Sequence, residues 1–257
     1  MLKYFFVLFF AASASFATFV TEPVTYKHES TDLEGYLVYN SSQKGPKPAV
    51  IIVHDWMGPS EYTQMRAKQL AQLGYVAFAA DIYGKSIRPK NAEEAAKIAG
   101  EFRDGDRKLL RARAKAAYDY VSKHPEVKKQ SISAIGYCFG GTTVLEMARA
   151  GLPLKGVVSF HGGLNTQSPQ DAKNIKSSVL VLHGGIDPFV PQAEVEAFWK
   201  EMNDAKVDYQ FVSYSGAVHS FTQKSAGQDI KKGAAYNEQA DRRSFVAMRE
   251  FLSEVNR

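Results

Sequence analysis

Short apolar runs alternate with longer amphipathic stretches along most of the chain, from Ala49 onward. Runs of five or six residues bounded by Gly, Asp or His are typical of buried strands, and the stretches between them carry apolar residues at helical spacing. The predicted strands are Ala49–Val53, Val76–Ala80, Ser131–Ile135, Gly156–Phe160, Ser178–Leu182 and Tyr209–Tyr214. The predicted helices lie near Glu61–Leu73, Ala92–Phe102, Arg107–Lys123, Thr142–Ala150, Gln192–Asn203 and Glu238–Val255. This alternation predicts a mainly parallel sheet with helices on both faces.

The segments before Ala49 follow a different pattern. Val24–Glu29 and Leu33–Tyr39 alternate in polarity on either side of Ser30-Thr31-Asp32, which predicts an antiparallel strand pair at the N-terminal end of the sheet. Internal repeats and long linkers are absent from the sequence. We therefore expect a single α/β domain over residues 18–257, with its active site at the carboxyl ends of the parallel strands.

The first residues of the chain are organised like a secretory signal peptide. Lys3 precedes an apolar run, Tyr4–Ala12, and small residues follow that run up to Ala17. The run is shorter than the roughly 20 apolar residues that a membrane span needs, which disfavours an uncleaved anchor. We therefore expect residues 1–17 to be removed, and the mature protein to be periplasmic or secreted without stable membrane association.

Charge and cysteine content narrow the choice of partners. The chain has 32 Lys and Arg against 27 Asp and Glu, and the basic residues are scattered, so a nucleic-acid partner is not expected. The single cysteine, Cys138, cannot form an intramolecular disulfide. In an oxidising compartment an unpaired thiol is a liability unless it is buried or used in chemistry.

Cys138 stands in a motif that favours a chemical role. The sequence Gly136-Tyr137-Cys138-Phe139-Gly140-Gly141 follows a predicted strand and fits the G-x-nucleophile-x-G elbow, with cysteine in place of serine. The positive end of the helix that follows is expected to favour the thiolate. The alternative is a small buried core cysteine, but the glycines on both sides favour the elbow.

Two later loops supply a candidate acid and a candidate base. His183-Gly184-Gly185-Ile186-Asp187 follows one predicted strand, and Ser215-Gly216-Ala217-Val218-His219 follows the last one. The order nucleophile, acid, base is that of α/β-hydrolases, and Cys138, Asp187 and His219 satisfy it. In this arrangement His219 exchanges protons with the thiol and the leaving group, and Asp187 fixes the imidazole tautomer.

The loop after the first parallel strand, His54-Asp55-Trp56-Met57-Gly58, is a candidate for the oxyanion hole. The backbone N–H of Trp56 would act together with that of Phe139, the residue after the nucleophile. His54 beside Asp55 could pose as a metal ligand, but a second ligand pair at zinc-like spacing is missing from the sequence. We therefore expect no metal and no cofactor.

The segments GYCFGG, LHGGIDPFVP, GAVHSF and DIYGK resemble the dienelactone hydrolase family, over about residues 26–251. The resemblance implies an α/β-hydrolase fold and a Cys-His-Asp triad that opens the lactone ring of an unsaturated substrate. It also implies a glutamate that helps to generate the thiolate, and Asp55 occupies that position with a side chain one methylene shorter. The alternative role for Asp55 is to hold its own loop.

The resemblance also points to substrate-binding positions. Two family arginines that bind the substrate carboxylate fall on Lys85 and Gln223, and this pair cannot make the bidentate contacts of two guanidinium groups. Binding of a carboxylated lactone is therefore expected to be weakened. Tyr83 and Phe221 are further candidates for substrate contact, and Phe189 is another aromatic residue on the motif loops.

The sequence therefore predicts a monomeric hydrolase of small carboxylic esters or lactones with a cysteine nucleophile. Because a thiolate is also a good leaving group, activated or strained acyl groups suit it best. Two alternatives are a non-catalytic binding protein on the same scaffold and a thiol-redox protein, although a CxxC motif and a resolving cysteine are absent from the sequence. His161 and His183 also follow strands and could line the pocket, but we favour the interpretation of both as hydrogen-bonded structural histidines.

Overall fold

An eight-stranded sheet runs through the computed structural model, which describes residues 17–257. The strands are β1 (Phe19–His28), β2 (Thr31–Asn40), β3 (Lys47–Val53), β4 (Val76–Ala80), β5 (Val127–Tyr137), β6 (Gly156–Phe160), β7 (Ser178–Gly184) and β8 (Tyr209–Tyr214). The α-helices are α1 (Glu61–Gln72), α2 (Ala92–Arg103), α3 (Lys108–Lys123), α4 (Phe139–Arg149), α5 (Gln192–Asp204) and α6 (Glu238–Val255). Short 3₁₀ turns lie at Pro169–Asn174, Lys224–Ala226 and Ile230–Lys232. The predicted signal peptide falls, except for Ala17, outside the described residues and stays a prediction.

The sheet has the order β1-β2-β4-β3-β5-β6-β7-β8. Strand β2 pairs antiparallel with both β1 and β4, and all pairs from β4 to β8 are parallel. This confirms the predicted mainly parallel sheet with an antiparallel N-terminal strand pair. These strands could be predicted from their apolar runs because a strand covered on both faces needs apolar side chains at nearly every position, as in β4 and β6.

Helices cover both faces of the sheet, and side chains of β3 alternate between the two layers. Ile51 packs in the cluster that includes α3 and α4, whereas Ile52 packs in the cluster that includes α1 and α6. Over residues 17–257, none of the helices has the length and apolar character that crossing a membrane would require.

Several element boundaries differ from the sequence prediction by a few residues, and two of these differences have a clear physical reason. His28 pairs with Thr31, so the first turn contains only Glu29 and Ser30, and Glu29 takes the left-handed backbone conformation (φ 52°) that such short hairpin turns require. Helix α4 begins at Phe139, three residues before the predicted start at Thr142. The glycines of the elbow hide this helical turn from pattern analysis, because glycine is a poor helix former.

Candidate active site

Cys138 lies at the sharp junction between β5 and α4. Its backbone has φ 56° and ψ −114°, outside the regions that non-glycine residues ordinarily adopt. The Cys138 N–H donates to the carbonyl of Phe160, and its carbonyl accepts from the Thr142 N–H. These bonds hold the strained residue in place, with its side chain half-buried at the carboxyl end of the sheet.

The glycines on either side of Cys138 allow backbone to pack directly on backbone. A Cβ atom on Gly136 would lie 2.0 Å from the carbonyl oxygen of Gly140, and one on Gly140 would lie 2.3 Å from that of Val53. Side chains at these positions would push α4 away from the ends of β5 and β3. The elbow motif therefore has a packing reason in this chain, as well as the geometry it gives Cys138.

His219 and Asp187 form a buried hydrogen-bonded pair. The Nδ1 atom of His219 lies 2.8 Å from Oδ2 of Asp187, and Oδ1 of the same carboxylate accepts from the Phe189 N–H at 2.9 Å. Cys138 lies within hydrogen-bonding reach of the His219 ring. The structure thus brings the three residues together in the order that the sequence predicted.

The electrostatic state of His219 depends on both neighbours. Burial alone would lower the pKa of the imidazole, but the charge of Cys138 and the hydrogen bonds to Asp187 and Cys138 outweigh it and raise the pKa to about 10. The ring is therefore protonated at neutral pH. A protonated imidazole beside the sulfur atom favours the charged thiolate and imidazolium pair.

The two predicted oxyanion-hole donors are not engaged with any residue that the structure describes. In the loop after β3, Asp55 accepts from the N–H groups of Met57, through its carboxylate, and of Gly58, through its carbonyl. The N–H groups of Trp56 and Phe139 make no hydrogen bond within residues 17–257. These two donors remain available to a substrate oxygen.

Asp55 is held by its own loop and by one side chain from the far end of the chain. Its Oδ1 accepts from the Met57 N–H at 2.7 Å, and its Oδ2 accepts from Nε2 of Gln223 at 2.6 Å. Asp55 and Gln223 are both buried. The amide nitrogen of Gln223 is therefore hydrogen-bonded to Asp55. The hydrogen bond to the Met57 N–H agrees with the interpretation that Asp55 holds its own loop.

The remaining candidates for substrate contact lie elsewhere or are buried. Lys85 is half-exposed, and its Nζ contacts Glu34 at 3.2 Å and Thr25 at 3.4 Å, on the antiparallel pair. Tyr83 is fully buried, and its hydroxyl donates to the Trp56 carbonyl at 2.9 Å, so it supports the oxyanion loop. Phe221 is also fully buried, so its ring packs in the core instead of facing a substrate. The aromatic character of Tyr83 and Phe221 reflects this packing.

The side chain of His161 is buried next to that of His219. Its ring centroid is 5.2 Å from that of His219, and its Nε2 lies 2.8 Å from Oγ1 of Thr222, which also accepts from the Tyr62 hydroxyl. Burial, and then the charge of His219, hold the pKa of His161 well below its usual value. Nothing in the sequence singled out Thr222 except its position between Phe221 and Gln223 in the HSFTQ segment.

Other histidines of the site are structural. The Nδ1 of His54 lies 2.6 Å from the Asp55 carbonyl, and its Nε2 accepts from the Ile82 N–H at 3.2 Å. His183 is buried against Phe211. Within residues 17–257 there is no cluster of three or more His, Cys, Asp or Glu side chains suited to holding a metal ion.

A parallel sheet with an elbow after a central strand, and with the acid and base loops after two later strands, defines the α/β-hydrolase class. The chain belongs to the dienelactone hydrolase family, whose model matches residues 33–256.

Individual relatives agree with this assignment. A dienelactone hydrolase-like promiscuous phosphotriesterase from metagenomic libraries superposes with a TM-score of 0.87 at 39% identity, over 92% of this chain and 98% of that chain. A probable 2-oxo-3-(5-oxofuran-2-ylidene)propanoate lactonase of Bradyrhizobium is 32% identical over 206 residues, which are 75% of this chain and 82% of the relative. An uncharacterised protein of Caenorhabditis elegans is 35% identical over 151 residues, which are 57% of this chain and 94% of the relative.

Proposed function

We propose that the protein hydrolyses uncharged carboxylic esters or lactones, with Cys138 as nucleophile, His219 as acid and base, and Asp187 as the residue that orients His219. The observation that carries this proposal is the series Asp187, His219 and strained Cys138, in which Asp187 is hydrogen-bonded to His219 and the charge of Cys138 helps to raise the pKa of the imidazole. This series lies beside two backbone N–H groups that have no other partner among residues 17–257.

In the proposed mechanism the Cys138 thiolate attacks the substrate carbonyl. The N–H groups of Trp56 and Phe139 stabilise the oxyanion of the tetrahedral intermediate. His219 then donates its proton to the leaving alkoxide, because collapse to the thioester needs a protonated leaving group. In the second half of the reaction the neutral imidazole takes a proton from water, the hydroxide attacks the thioester, and the carboxylic acid leaves as the Cys138 thiolate re-forms.

The preference for uncharged substrates follows from the distribution of charge. Lys85 is paired with Glu34, and the Gln223 amide is occupied by Asp55. Arg88 contacts Asp81 and the Gly84 carbonyl, so its charge is also directed to the protein. The carboxylates of Asp55 and Asp187 would repel a substrate carboxylate, and the charge of the His219 imidazolium is already shared between Asp187 and Cys138. A substrate anion would therefore find little compensation for its lost hydration.

The test is hydrolysis of a short-chain p-nitrophenyl ester by residues 18–257, compared with Cys138→Ala and with enzyme treated with iodoacetamide. We expect both changes to abolish turnover, and alkylation at neutral pH to be fast because of the protonated His219. Retained activity in Cys138→Ala would refute the cysteine mechanism. An inactive wild type with a slowly alkylated thiol would instead favour the non-catalytic binding protein.

A second candidate activity is hydrolysis of phosphotriesters. The observation in its favour is that a phosphotriester is uncharged, as this site requires, and that a relative of 39% identity over 92% of the chain is named a promiscuous phosphotriesterase. Here Cys138 would attack phosphorus and the same N–H groups would bind the phosphoryl oxygen. A dialkyl aryl phosphate tests it: release of the aryl alcohol must depend on Cys138, and absence of turnover with an active esterase would exclude it.

A further inference from the structure

Large apolar side chains are unusually exposed on the loops that carry Asp187 and His219. Phe189, Ile230 and Ile186 leave 59%, 53% and 52% of their surface open to solvent. An exposed phenylalanine loses the favourable burial that its ring would gain in a core, so a group of such residues marks a binding surface. Their position at the candidate site indicates that the ligand is the substrate.

Phe189 is held against the catalytic imidazole. The centroid of its ring lies 5.4 Å from that of His219, with the two planes perpendicular, and its N–H donates to Asp187. The contact with His219 and the hydrogen bond to Asp187 therefore hold Phe189 in place, while more than half of its surface stays exposed to solvent. A group bound against the His219 ring would therefore be close to Phe189.

A strap formed by residues 230–235 fixes this arrangement from the other side. The His219 N–H donates to the Gly233 carbonyl at 3.1 Å, and the Ala235 N–H donates back to the His219 carbonyl at 3.0 Å. Gly233 has φ 78°, and a Cβ atom there would lie 3.0 Å from Cζ of Phe189. Ile230 begins the 3₁₀ turn Ile230–Lys232, which directly precedes Gly233, so its exposed side chain lies on the same strap.

The chemistry decides which half of the substrate meets this surface. His219 must come within about 3 Å of the leaving oxygen to protonate it. The substituent on that oxygen therefore lies beside His219, next to Phe189, whereas the acyl group stays with Cys138 and the N–H groups of Trp56 and Phe139.

We propose that Phe189 and Ile230 form the leaving-group subsite and make the enzyme selective for esters of apolar, aromatic alcohols. This proposal rests on the proposed function, because it assigns His219 the role of proton donor. An aromatic leaving group would stack or pack edge-on against the exposed ring of Phe189, and its apolar surface would be removed from water in the same step.

The experiment compares Phe189→Ala and Ile230→Ala with wild type on acetates that differ only in the alcohol: naphthyl, phenyl and trifluoroethyl. Phe19→Ala is the matched control, because Phe19 is 40% exposed on β1. Taking the ratio of variant to wild type for each ester cancels its intrinsic reactivity. In Phe189→Ala, kcat/KM for the aryl acetates should fall about tenfold and that for trifluoroethyl acetate less than about twofold. Ile230→Ala should also affect the aryl acetates more than trifluoroethyl acetate, but with a smaller loss of kcat/KM.

Deacylation provides the second readout. All these acetates give the same acetyl-enzyme, so a variant changes its rate of hydrolysis, measured after the initial burst, by one factor for all three esters, and a difference among the esters reports acylation. Equal losses on all three acetates, or a loss that grows with acyl chain length on p-nitrophenyl esters, would overturn the subsite. Hydrolysis that survives Cys138→Ala would instead overturn the proposed function.

Discussion

Two buried polar clusters lie at opposite ends of helix α4 and are built on opposite principles. At the N-terminal end lies the candidate site around Cys138. Towards the C-terminal end lies an arginine–glutamate network, formed by Arg107, Arg111, Glu146, Arg149 and Glu201. Both clusters bury charge, but the network pairs its charged groups with one another, whereas the site also contains buried polar atoms without a partner among residues 17–257.

The network satisfies its charges almost completely. The guanidinium of Arg149 is fully buried, donates to both carboxylate oxygens of Glu201 at 2.8 and 2.7 Å, and reaches Glu146 at 3.0 Å. Glu146 also accepts from Arg107 and Arg111. Burial would raise the pKa of Glu146, but the three arginines outweigh it and hold the pKa below its usual value. This cluster stabilises the fold.

The candidate site leaves several groups without partners. Buried atoms with no hydrogen bond within residues 17–257 include Oη of Tyr137, Oγ of Ser159 and Nδ1 of both His161 and His183, at the ends of β5, β6 and β7. Cys138 adds backbone strain. Unmet hydrogen bonds and strain both cost stability, and a strained non-glycine residue beside a buried acid and base is typical of a site that serves chemistry.

The largest effect is expected on activity, at Asp187. Asp187→Asn keeps the shape of the side chain but removes the charge that orients and stabilises the protonated His219, so kcat should fall by about 10³ to 10⁴. The free energy of unfolding in urea should also fall at neutral pH, because Asp187 is buried and helps to raise the pKa of His219, so the loss of kcat is the effect that distinguishes this site from the network. Loss of more than about 3 kcal/mol with little loss of kcat would reverse the roles of the two clusters.

Glu146→Gln should lower stability without lowering activity. It leaves Arg107 and Arg149 buried with one carboxylate fewer, and breaking such a buried set costs about 3 to 5 kcal/mol of unfolding free energy. The variant should keep kcat/KM for a p-nitrophenyl ester while its urea midpoint falls. Asp204→Asn, which breaks the exposed pair with Lys200, is the control and should leave the midpoint unchanged. An unaltered midpoint in Glu146→Gln would contradict the comparison.

Two histidines whose rings lie next to each other in the site have pKa shifts in opposite directions. His219 has its pKa raised to about 10, so its contribution to stability is full below about pH 6.5 and is lost as pH rises towards 10. His161 has its pKa lowered, so it weakens the fold only as pH falls below about 6.5, where the unfolded chain binds a proton. NMR of the histidine rings should find His219 protonated at about pH 8 and His161 neutral at about pH 5. Titration of both rings near pH 6.5 would contradict this assignment.

The sequence predicted the parts of the molecule that depend on local patterns. Strands covered on both faces could be predicted from their apolar runs. Because Cys138, Asp187 and His219 each follow a predicted strand, their proximity at one edge of the sheet could be predicted from strand order. The start of α4 could not, because glycines forced by backbone packing conceal a helix.

The partners of polar side chains were also beyond sequence reasoning. Asp55 accepts from Gln223, which is 168 positions away, and Lys85 contacts Glu34 on β2. Lys85 and Gln223 were assigned to substrate binding, and Asp55 to thiolate generation or to its own loop, because their neighbours in sequence belong to a motif. Which side chains contact each other depends on how strands distant in sequence pack, and a local motif does not determine that packing.

The smallest effect is expected at Lys85, where the resemblance predicted substrate binding and the structure places an ion pair. Lys85→Ala removes a contact to Glu34 between two side chains that are 47% and 38% exposed, and such pairs contribute about 0 to 1 kcal/mol. Since Nζ is directed to the antiparallel pair, kcat/KM should stay within about twofold of wild type both for a neutral lactone and for a lactone that carries a carboxylate. A selective rise in KM for the carboxylated lactone would show that Lys85 leaves Glu34 to meet an anionic substrate, and the preference for uncharged substrates would then be wrong.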